Sequence, residues 1–220
     1  KSNEITAIPE LLRALAIEGC IVTIDAMGTQ REIAKQILDQ GADYVLALKG
    51  NQSTLHDDVR LFLEDPKSCV QASPPMVEGD HGRIETRTAA LSTDIAWLKE
   101  QHDWPGLAAV GKIERTREIK GIISSETAYY LLSTPMTPVR FAEAVREHWG
   151  IENSLHWVLD VTMDEDHARN RSDNGPENLG ILRHIARNLI SKDASKISTR
   201  RKLNKAAWNN AYLIKLMAQI

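Results

Sequence analysis

The sequence lacks the features that mark several large protein classes. Its two cysteines, Cys20 and Cys69, lie far apart without CxxC spacing, which excludes a disulfide framework or a zinc ribbon and fits a reducing cytoplasm. It contains no run of 18 apolar residues and no signal-peptide pattern at its first residues, so we expect no transmembrane helix and no membrane partner. GxGxxG, Walker and GxSxG motifs are also absent, which removes the commonest nucleotide-binding and hydrolase interpretations.

The composition is ordinary for a soluble globular protein, with 42% hydrophobic and 26% charged residues. The net charge of −3 hides an uneven distribution. Residues 167–220 hold eleven Lys and Arg against three Asp and Glu, a net charge of +8 on the last quarter of the chain. Such a basic segment suits a polyanionic partner, although a solvated helical face would account for it equally well.

The first third of the chain alternates between helical and strand patterns. Short β-rich apolar runs at 20–24 and 44–49 are typical of strands that are buried on both faces. The helical spacing of apolar residues predicts helices over 5–17, 31–39 and 53–63, with Thr29 and Ser53 as N-caps. This order predicts an α/β fold with a parallel sheet.

Residues 64–133 have a different character. Alternating polar and apolar residues predict antiparallel strands over 83–91, 108–119 and 127–132, with a turn at Lys120-Gly121 and a short helix over 94–100. A long amphipathic helix then begins after Thr137, which we predict to be its N-cap, and buries a stripe that runs from Phe141 to Val158 through Ile151. Two further helices are predicted over 176–190 and 202–217.

Polar residues at the ends of the two buried strands are the first candidates for chemistry. Asp25 directly follows the first strand, and ligands of open parallel sheets bind beyond the carboxyl ends of the strands. Lys49, Asn51 and Gln52 follow the second strand and could bind phosphate at the same edge. A turn-forming Asp25 and an exposed Lys49 beside a Gly-Asn turn explain the pattern equally well.

A second candidate lies late in the long helix. His148, Glu152 and His156 are spaced by four residues and would share one helical face, which could hold zinc through two imidazoles and a carboxylate. The HExxH spacing of zinc proteases is absent, and surface pairing of these three side chains is the plainer interpretation. The acidic run Asp164–Asp166 is typical of solvated residues, with Arg169 and Arg171 as the neighbours that would neutralise it.

Taken together, the motifs resemble the H-repeat-associated (ISAs-type) transposases of bacterial insertion sequences, within the wider DDE superfamily. The matching segments are Lys1–Ile5, Val22–Gln30, Ala42–Gln52, His81–Glu85, His148–Asn153 and Leu155–Trp157, with Glu165, Asp166, Arg169, Arg171, Asn178 and Arg183. Related families place a Tyr, an Arg and a Lys around the catalytic Glu. Val145, His148 and Leu159 occupy those places here, so that phosphate-clamping signature is not carried over.

The resemblance implies a partial ribonuclease H-like domain, with the first strands missing, a β-rich antiparallel insertion and C-terminal helices. Residues 1–63 would form the first part of the core and 64–133 the insertion. Residues 134–190 would complete the core, and 191–220 would form a basic helical tail. Asp25 would be the second acid of the DDE triad and Glu152 the third, with their carboxylates within about 10 Å of each other. The first acid would precede this chain, so we expect a C-terminal portion that is inactive alone.

The implied activity is metal-dependent cleavage and strand transfer of DNA. Two Mg²⁺ ions, or Mn²⁺ in their place, would be bound by Asp25 and Glu152 about 3.5–4 Å apart. Lys49, Asn51, Gln52, His148, Arg169 and Arg171 would contact DNA, and the basic tail would add salt-dependent affinity. The implied protein is cytoplasmic, associated with the nucleoid when bound and homodimeric on DNA, and it needs no small-molecule cofactor. A catalytically inactive remnant that only binds DNA or a partner, and a metal hydrolase built on His148, Glu152 and His156, are the alternatives.

Overall fold

The structure is a computed structural model that describes residues 4–68, 70–80 and 83–218, with the backbone alone at Glu4, Asp80, Glu152 and Asn153. The predicted motif residues 1–3 and 81–82, and Cys69, lie outside the described residues. The chain divides into two compact units, Lys1–His148 and Trp149–Ile220. No helix in the described ranges combines the length and the apolar character needed to cross a membrane.

The first unit begins with the predicted alternation of helices and strands. Strands β1 (Ile21–Ile24) and β2 (Asp43–Leu48) pair in parallel, with Ile21 opposite Asp43, which confirms the predicted parallel pair. The helices are α1 (Glu4–Ala14), α2 (Arg31–Asp39) and α3 (Ser53–Glu64). The predicted caps are wrong: Gln30 and Gln52 occupy the N-cap positions of α2 and α3, and Thr29 makes a tertiary contact described below.

The antiparallel strands join the same sheet, because β7 pairs with β2. The strands are β3 (Gln71–Ala72), β4 (Met76–Asp80), β5 (Arg83–Ser92), β6 (Ala109–Ile119) and β7 (Ile122–Leu132), and helix α4 (Ala96–His102) lies between β5 and β6. Within the described residues the sheet has seven strands in the order β1-β2-β7-β6-β5-β3, with β4 also paired to β5. The mixed α/β class predicted from the sequence is therefore confirmed.

The β6–β7 hairpin turns at Lys120 and Gly121, as predicted. Their φ angles of 50° and 79° are both left-handed, which is the backbone that two-residue hairpin loops require. Strand β7 begins at Ile122 rather than at the predicted residue 127. Residues 122–126 carry little apolar alternation, and they form a strand because their main chain pairs with β6.

The two faces of the sheet bury separate apolar clusters. Alternate β2 residues Tyr44, Leu46 and Leu48 belong to the cluster that includes α2 and α3 side chains, while Val45 belongs to the cluster on the opposite face around Phe141. Alternation along a strand places successive side chains on opposite faces. Gly111 permits the close approach of the second cluster, because a Cβ there would lie 2.7 Å from the Phe141 ring.

Helix α5 (Pro138–Ile151) carries Phe141 and begins as predicted: the Thr137 hydroxyl accepts a hydrogen bond from the backbone N–H of Arg140 at 3.2 Å. The helical path continues beyond Ile151 as two π-helical segments, Glu152–His156 and Val158–Thr162. The predicted apolar stripe is wrong at Ile151, which is exposed. The sheet cluster that α5 packs against contains α5 residues only as far as Val145, so Ile151 lies beyond the part of the helix that it covers.

The second unit contains α6 (Gly175–Ser191), α7 (Thr199–Trp208) and α8 (Asn210–Met217) around a small cluster of Ile190, Tyr212 and Leu216. One continuous helix over 202–217 was predicted, and that prediction is wrong. Asn209 has extended backbone (φ −131°, ψ 100°), and its side chain caps α8 by accepting from the Tyr212 N–H at 2.9 Å. An Asn that caps a new helix competes with continuation of the old one.

Candidate functional site

Asp25 lies at the carboxyl end of β1 and meets a side chain from α5. His148 Nε2 lies 3.1 Å from Asp25 Oδ1, and His148 Nδ1 lies 3.1 Å from the Thr23 hydroxyl. The Asp25 side chain is 58% exposed and that of His148 is 21% exposed. A single imidazole therefore joins α5 to the end of β1 and orients a carboxylate that solvent can reach.

The carboxylate fixes the direction of one of these hydrogen bonds. A carboxylate only accepts, so Nε2 is the nitrogen that donates to Asp25. Nδ1 accepts from the Thr23 hydroxyl when the imidazole is neutral and donates to it when the imidazole is protonated. Sequence reasoning missed Thr23, although strand alternation was a usable signal, because residues 23 and 25 share one face of an extended chain.

The turn after Asp25 is held tightly against the core. The Asp25 carbonyl accepts from the Gly28 N–H at 3.0 Å. A Cβ on Gly28 would lie 2.7 Å from Ile8 and closer still to Ile24, so only glycine fits that position without movement of its neighbours. The buried Thr29 hydroxyl donates to the Ala47 carbonyl of β2 at 2.6 Å. These contacts fix the backbone that presents Asp25.

The turn after β2 is anchored to the same segment by two predicted site residues. Asn51 Nδ2 donates to the Ala26 carbonyl at 2.6 Å, and Gln52 Nε2 donates to the Thr29 carbonyl at 3.1 Å. The two amides thus bind main chain and hold the ends of β1 and β2 together, while their predicted phosphate contacts stay a prediction. Lys49, the third residue of that group, is exposed.

The Glu152 side chain lies outside the described part of the structure, so its predicted approach to Asp25 stays a prediction. Its backbone begins the first π-helical segment, directly after the end of α5. The proposed zinc face depended on α-helical spacing from His148 to His156, and the π-helical bonding after residue 151 does not keep that spacing. Among the described residues, no group of three or more His, Cys, Asp or Glu side chains is arranged to hold a metal ion.

The remaining predicted residues lie in the second unit. Arg169 and Arg171 are exposed in the segment between the second π-helical turn and α6. They were also considered as partners of the acidic run 164–166. The observed partners are different: His167 Nδ1 lies 3.0 Å from Asp164 Oδ1, and Arg183 lies 3.5 Å from Glu165 Oε1.

Asp193 organises the start of the basic tail. The Tyr212 hydroxyl donates to its carboxylate at 2.8 Å, and Lys202 Nζ donates to its carbonyl oxygen at 2.6 Å. Hydrogen bonds from Ser195 and then Tyr212 hold the pKa of Asp193 at about 2. One of the basic side chains of this segment is therefore engaged within the second unit.

Comparison with known proteins gives consistent matches. The family model described as "Transposase DDE domain" matches residues 1–189. The protein YbfL of Escherichia coli K12 is 40% identical over 226 residues, and the "H repeat-associated putative transposase YhhI" of the same strain is 39% identical over 226 residues. Both alignments cover 99% of this chain and 60% of the relative. A protein from Xanthobacter autotrophicus, named only by its position in the dhlA 3′ region, is 48% identical over 139 residues, which cover 63% of this chain and 47% of that protein. The chain thus spans about 60% of the length of the first two relatives.

Proposed function

Because the chain belongs to the family of transposases with a DDE domain, we propose that Asp25 and Glu152 are two metal-binding acids of a DNA-cleaving and strand-transferring enzyme. Its substrates would be the ends of an insertion sequence and a target DNA, and it would act as a homodimer on DNA. In this proposal β1, α2 and β2 belong to a ribonuclease H-like core. Residues 64–133 are the insertion, 134–190 complete the core and 191–220 are the basic tail.

The observation that carries the proposal is the contact between His148 and Asp25. It brings α5 to the carboxyl end of β1, where ligands of parallel sheets bind. Glu152 follows His148 by four residues, as the first residue of the π-helical segment after α5. Its assignment as the second acid rests on its place in the matched DDE domain.

The chemistry of Asp25 fits a hard divalent cation. Mg²⁺ and Mn²⁺ prefer oxygen ligands, and the Asp25 carboxylate is exposed at 58%. Carboxylates that bind metals are themselves hydrogen-bonded as a rule, and His148 supplies such a bond. We propose that Asp25 and Glu152 would hold the divalent ions, which when bound supply charge stabilisation to in-line displacement at phosphorus.

Each further residue has a distinct part in the proposal. His148 orients the Asp25 carboxylate through Nε2, and Thr23 orients His148 through Nδ1. Asn51 and Gln52 hold the two strand ends at a fixed separation. Lys49, Arg169 and Arg171 are exposed cations that would bind DNA phosphates. His148 thus moves from the predicted phosphate contact to a positioning role.

The test uses Mn²⁺ binding and DNA cleavage together. In the full chain, Asp25→Asn should weaken Mn²⁺ binding. The electron paramagnetic resonance signal of free Mn²⁺ measures this binding. The cleavage assay uses a full-length protein of this family that contains the segment. Asp25→Asn and Glu152→Gln should each lower Mg²⁺-dependent nicking of insertion-sequence ends by at least about 100-fold. Loss of a residue that only hydrogen-bonds to a metal ligand already costs up to about 100-fold, and loss of the ligand itself should cost no less.

Asp39→Asn is the matched control, because Asp39 is an exposed carboxylate at the end of α2. It should leave both Mn²⁺ binding and nicking unchanged. Unchanged nicking in the Asp25 variant, or equal loss in the Asp39 variant, would contradict the assignment. Activity that chelation removes and Zn²⁺ alone restores would instead favour a hydrolase built on His148 and His156.

A further inference from the structure

One face of the antiparallel sheet carries a group of arginines around a buried glutamate. Glu85 of β5 lies opposite Arg117 of β6, and Arg87 lies opposite Arg115. Directly opposed residues point to the same face of a sheet, as do residues two apart along a strand. Arg83, Arg87, Arg115 and Arg117 therefore share one face with Glu85, and we call these four residues the arginine face.

Glu85 fixes the guanidinium groups around it. It is only 3% exposed, and its Oε2 accepts from Arg117 Nε at 2.9 Å. Arg87 contacts Oε1 of Glu85, and Arg83 Nε lies 4.0 Å from Oε2 of Glu85. Burial opposes the ionisation of Glu85, but the bond from Arg117 and the charges of Arg87 and Arg117 hold its pKa below the usual range. A buried anion thus orders several cations at the surface.

The cations outnumber the acids that accompany them. Glu78 pairs with Arg87 and with Arg146 of α5, and Glu126 pairs with Arg115. With Arg146 included, five arginines stand against three carboxylates whose contacts are described and Asp80, which lies opposite Arg83 in the register, an excess of one positive charge. Two of the acids are largely solvated, at 43% and 67% exposure, so competing anions can exchange with them at low cost.

The arginine face lies on the same side of the sheet as α5. Further along the same face, Ala89 and Ile113 pack in the cluster with Phe141 of α5. Arg146 of that helix reaches Glu78, and His148, two residues later, reaches Asp25. Lys49 continues the alternation of β2 after Val45 and Ala47, which pack on this face, so its position belongs to the same side of the sheet. Cations therefore lie on this side at the end of β2 and on β6 and β5.

We propose that the arginine face binds the phosphate backbone of the DNA that reaches Asp25. This inference rests on the proposed function and extends it to a surface outside the predicted site residues. Guanidinium groups held in fixed geometry bind phosphate through paired hydrogen bonds. Contacts of this kind set the path of DNA without reading its sequence. Continuity with the side of the sheet that carries Asp25 favours DNA over an acidic protein partner.

The test measures the salt dependence of binding to a labelled 30-base-pair duplex of mixed sequence, with the full chain. Arg83→Gln/Arg115→Gln removes the two arginines that depend least on Glu85, which leaves its contacts with Arg87 and Arg117 in place. Each lost phosphate contact lowers the slope of log K against log salt by about 0.9. We expect the double variant to bind severalfold more weakly at low salt and to lose about 1.8 from that slope.

Arg13→Gln/Lys35→Gln is the control, because it removes the same charge from exposed positions on α1 and α2. It should change the slope by much less. Glu126→Gln provides a second variant whose expected effect on DNA binding has the opposite sign, since it removes the exposed acid beside Arg115. It should strengthen DNA binding, and its result does not depend on whether the arginine variant folds.

Equal slopes for the arginine variant and the control, together with no gain from Glu126→Gln, would overturn the proposal. The proposal would also be overturned if the arginine variant lost binding to a polyglutamate probe but kept its DNA binding. That result would assign the surface to an acidic partner. These results differ from a failure of the proposed function. In that case the unmodified chain would bind no DNA, or the Asp25 variant would cleave normally.

Discussion

The two ends of the sheet hold their polar side chains in different ways. At the parallel end, Thr29, Asn51 and Gln52 donate to main-chain carbonyls of neighbouring segments. At the antiparallel end, carboxylates of Glu78, Glu85 and Glu126 meet guanidiniums. The first arrangement uses neutral hydrogen bonds to fix a backbone, and the second uses ion pairs on a surface.

In the proposed function, this difference corresponds to two demands on the chain. A carboxylate that binds a metal must be held within a fraction of an ångström; neutral bonds to main chain fix the backbone that presents Asp25, and His148 orients its side chain. A surface that binds a polyanion needs cations that can exchange partners, and exposed ion pairs allow it because each contributes little to stability. Glu85 is the exception at the antiparallel end, since it is buried. The largest predicted effect follows from that exception.

Glu85→Ala should destabilise the first unit more than any other change considered. It leaves the Arg87 and Arg117 guanidiniums without the buried carboxylate that they share. Removing one partner of a buried ion pair costs about 3–5 kcal/mol, and the partial exposure of both arginines places the expected value near the lower limit. Urea unfolding at pH 7, followed by circular dichroism, measures the change.

Glu118→Ala is the control, because Glu118 is an exposed residue on the opposite face of β6. It should shift the free energy of unfolding by less than about 0.5 kcal/mol. The difference between wild type and Glu85→Ala should also shrink in acid. A lowered pKa means that Glu85 stabilises the fold above the ordinary glutamate pKa and loses this contribution as the pH falls through its own lower value. Similar costs for the two variants would show that Glu85 has no special role.

Thr29→Val tests the parallel end with a smaller expected effect. The substitution keeps the shape but removes the hydroxyl, so the carbonyl of Ala47, a half-buried residue, loses its 2.6 Å hydrogen bond. An unsatisfied buried acceptor costs about 1–3 kcal/mol. Since no ionisable group takes part in this bond, the cost should be the same at pH 5 and pH 8 and at low and high salt. Urea unfolding under these four conditions measures it.

The exposed Thr54 of α3 offers the same chemical change without burial. Thr54→Val should leave the free energy of unfolding nearly unchanged. A cost for Thr29→Val that varied with salt or pH as strongly as that of Glu85→Ala would remove the distinction between the two ends.

Local features of the fold could be predicted from the sequence, and features that depend on distant partners could not. The Thr137 cap and the Lys120-Gly121 turn depend on residues within four positions of each other, and both were predicted correctly. Thr29 was assigned to a cap because local capping is its commonest use. Its hydroxyl in fact bonds a carbonyl 18 residues away, and no local pattern contains that partner.

The candidate site shows the same division between local and distant signals. Strand alternation and the position of Asp25 at a strand end could be read from the sequence, and the structure places Asp25 there. The role of His148 could not be read, because its contacts with Thr23 and Asp25 span 125 and 123 residues. The arginine face was missed for a related reason. Arg83 and Arg87 share a face with Arg115 and Arg117 only once the register of β5 and β6 is known.

Of the three test variants, Glu126→Gln should have the smallest effect on stability, and it therefore sharpens the comparison most directly. Its carboxylate is 67% exposed and pairs with Arg115, and exposed ion pairs contribute about 0–1 kcal/mol. We expect the free energy of unfolding at pH 7 to fall by no more than about 0.5 kcal/mol, and by less still in 1 M salt, because salt screens exposed charges. Urea unfolding at the two salt concentrations measures this. Suppose instead that the cost is comparable to that of Thr29→Val. The exposed ion pairs would then fix the antiparallel end of the sheet as firmly as main-chain hydrogen bonds fix the parallel end. In that case the arginine face could not exchange its acids for phosphate.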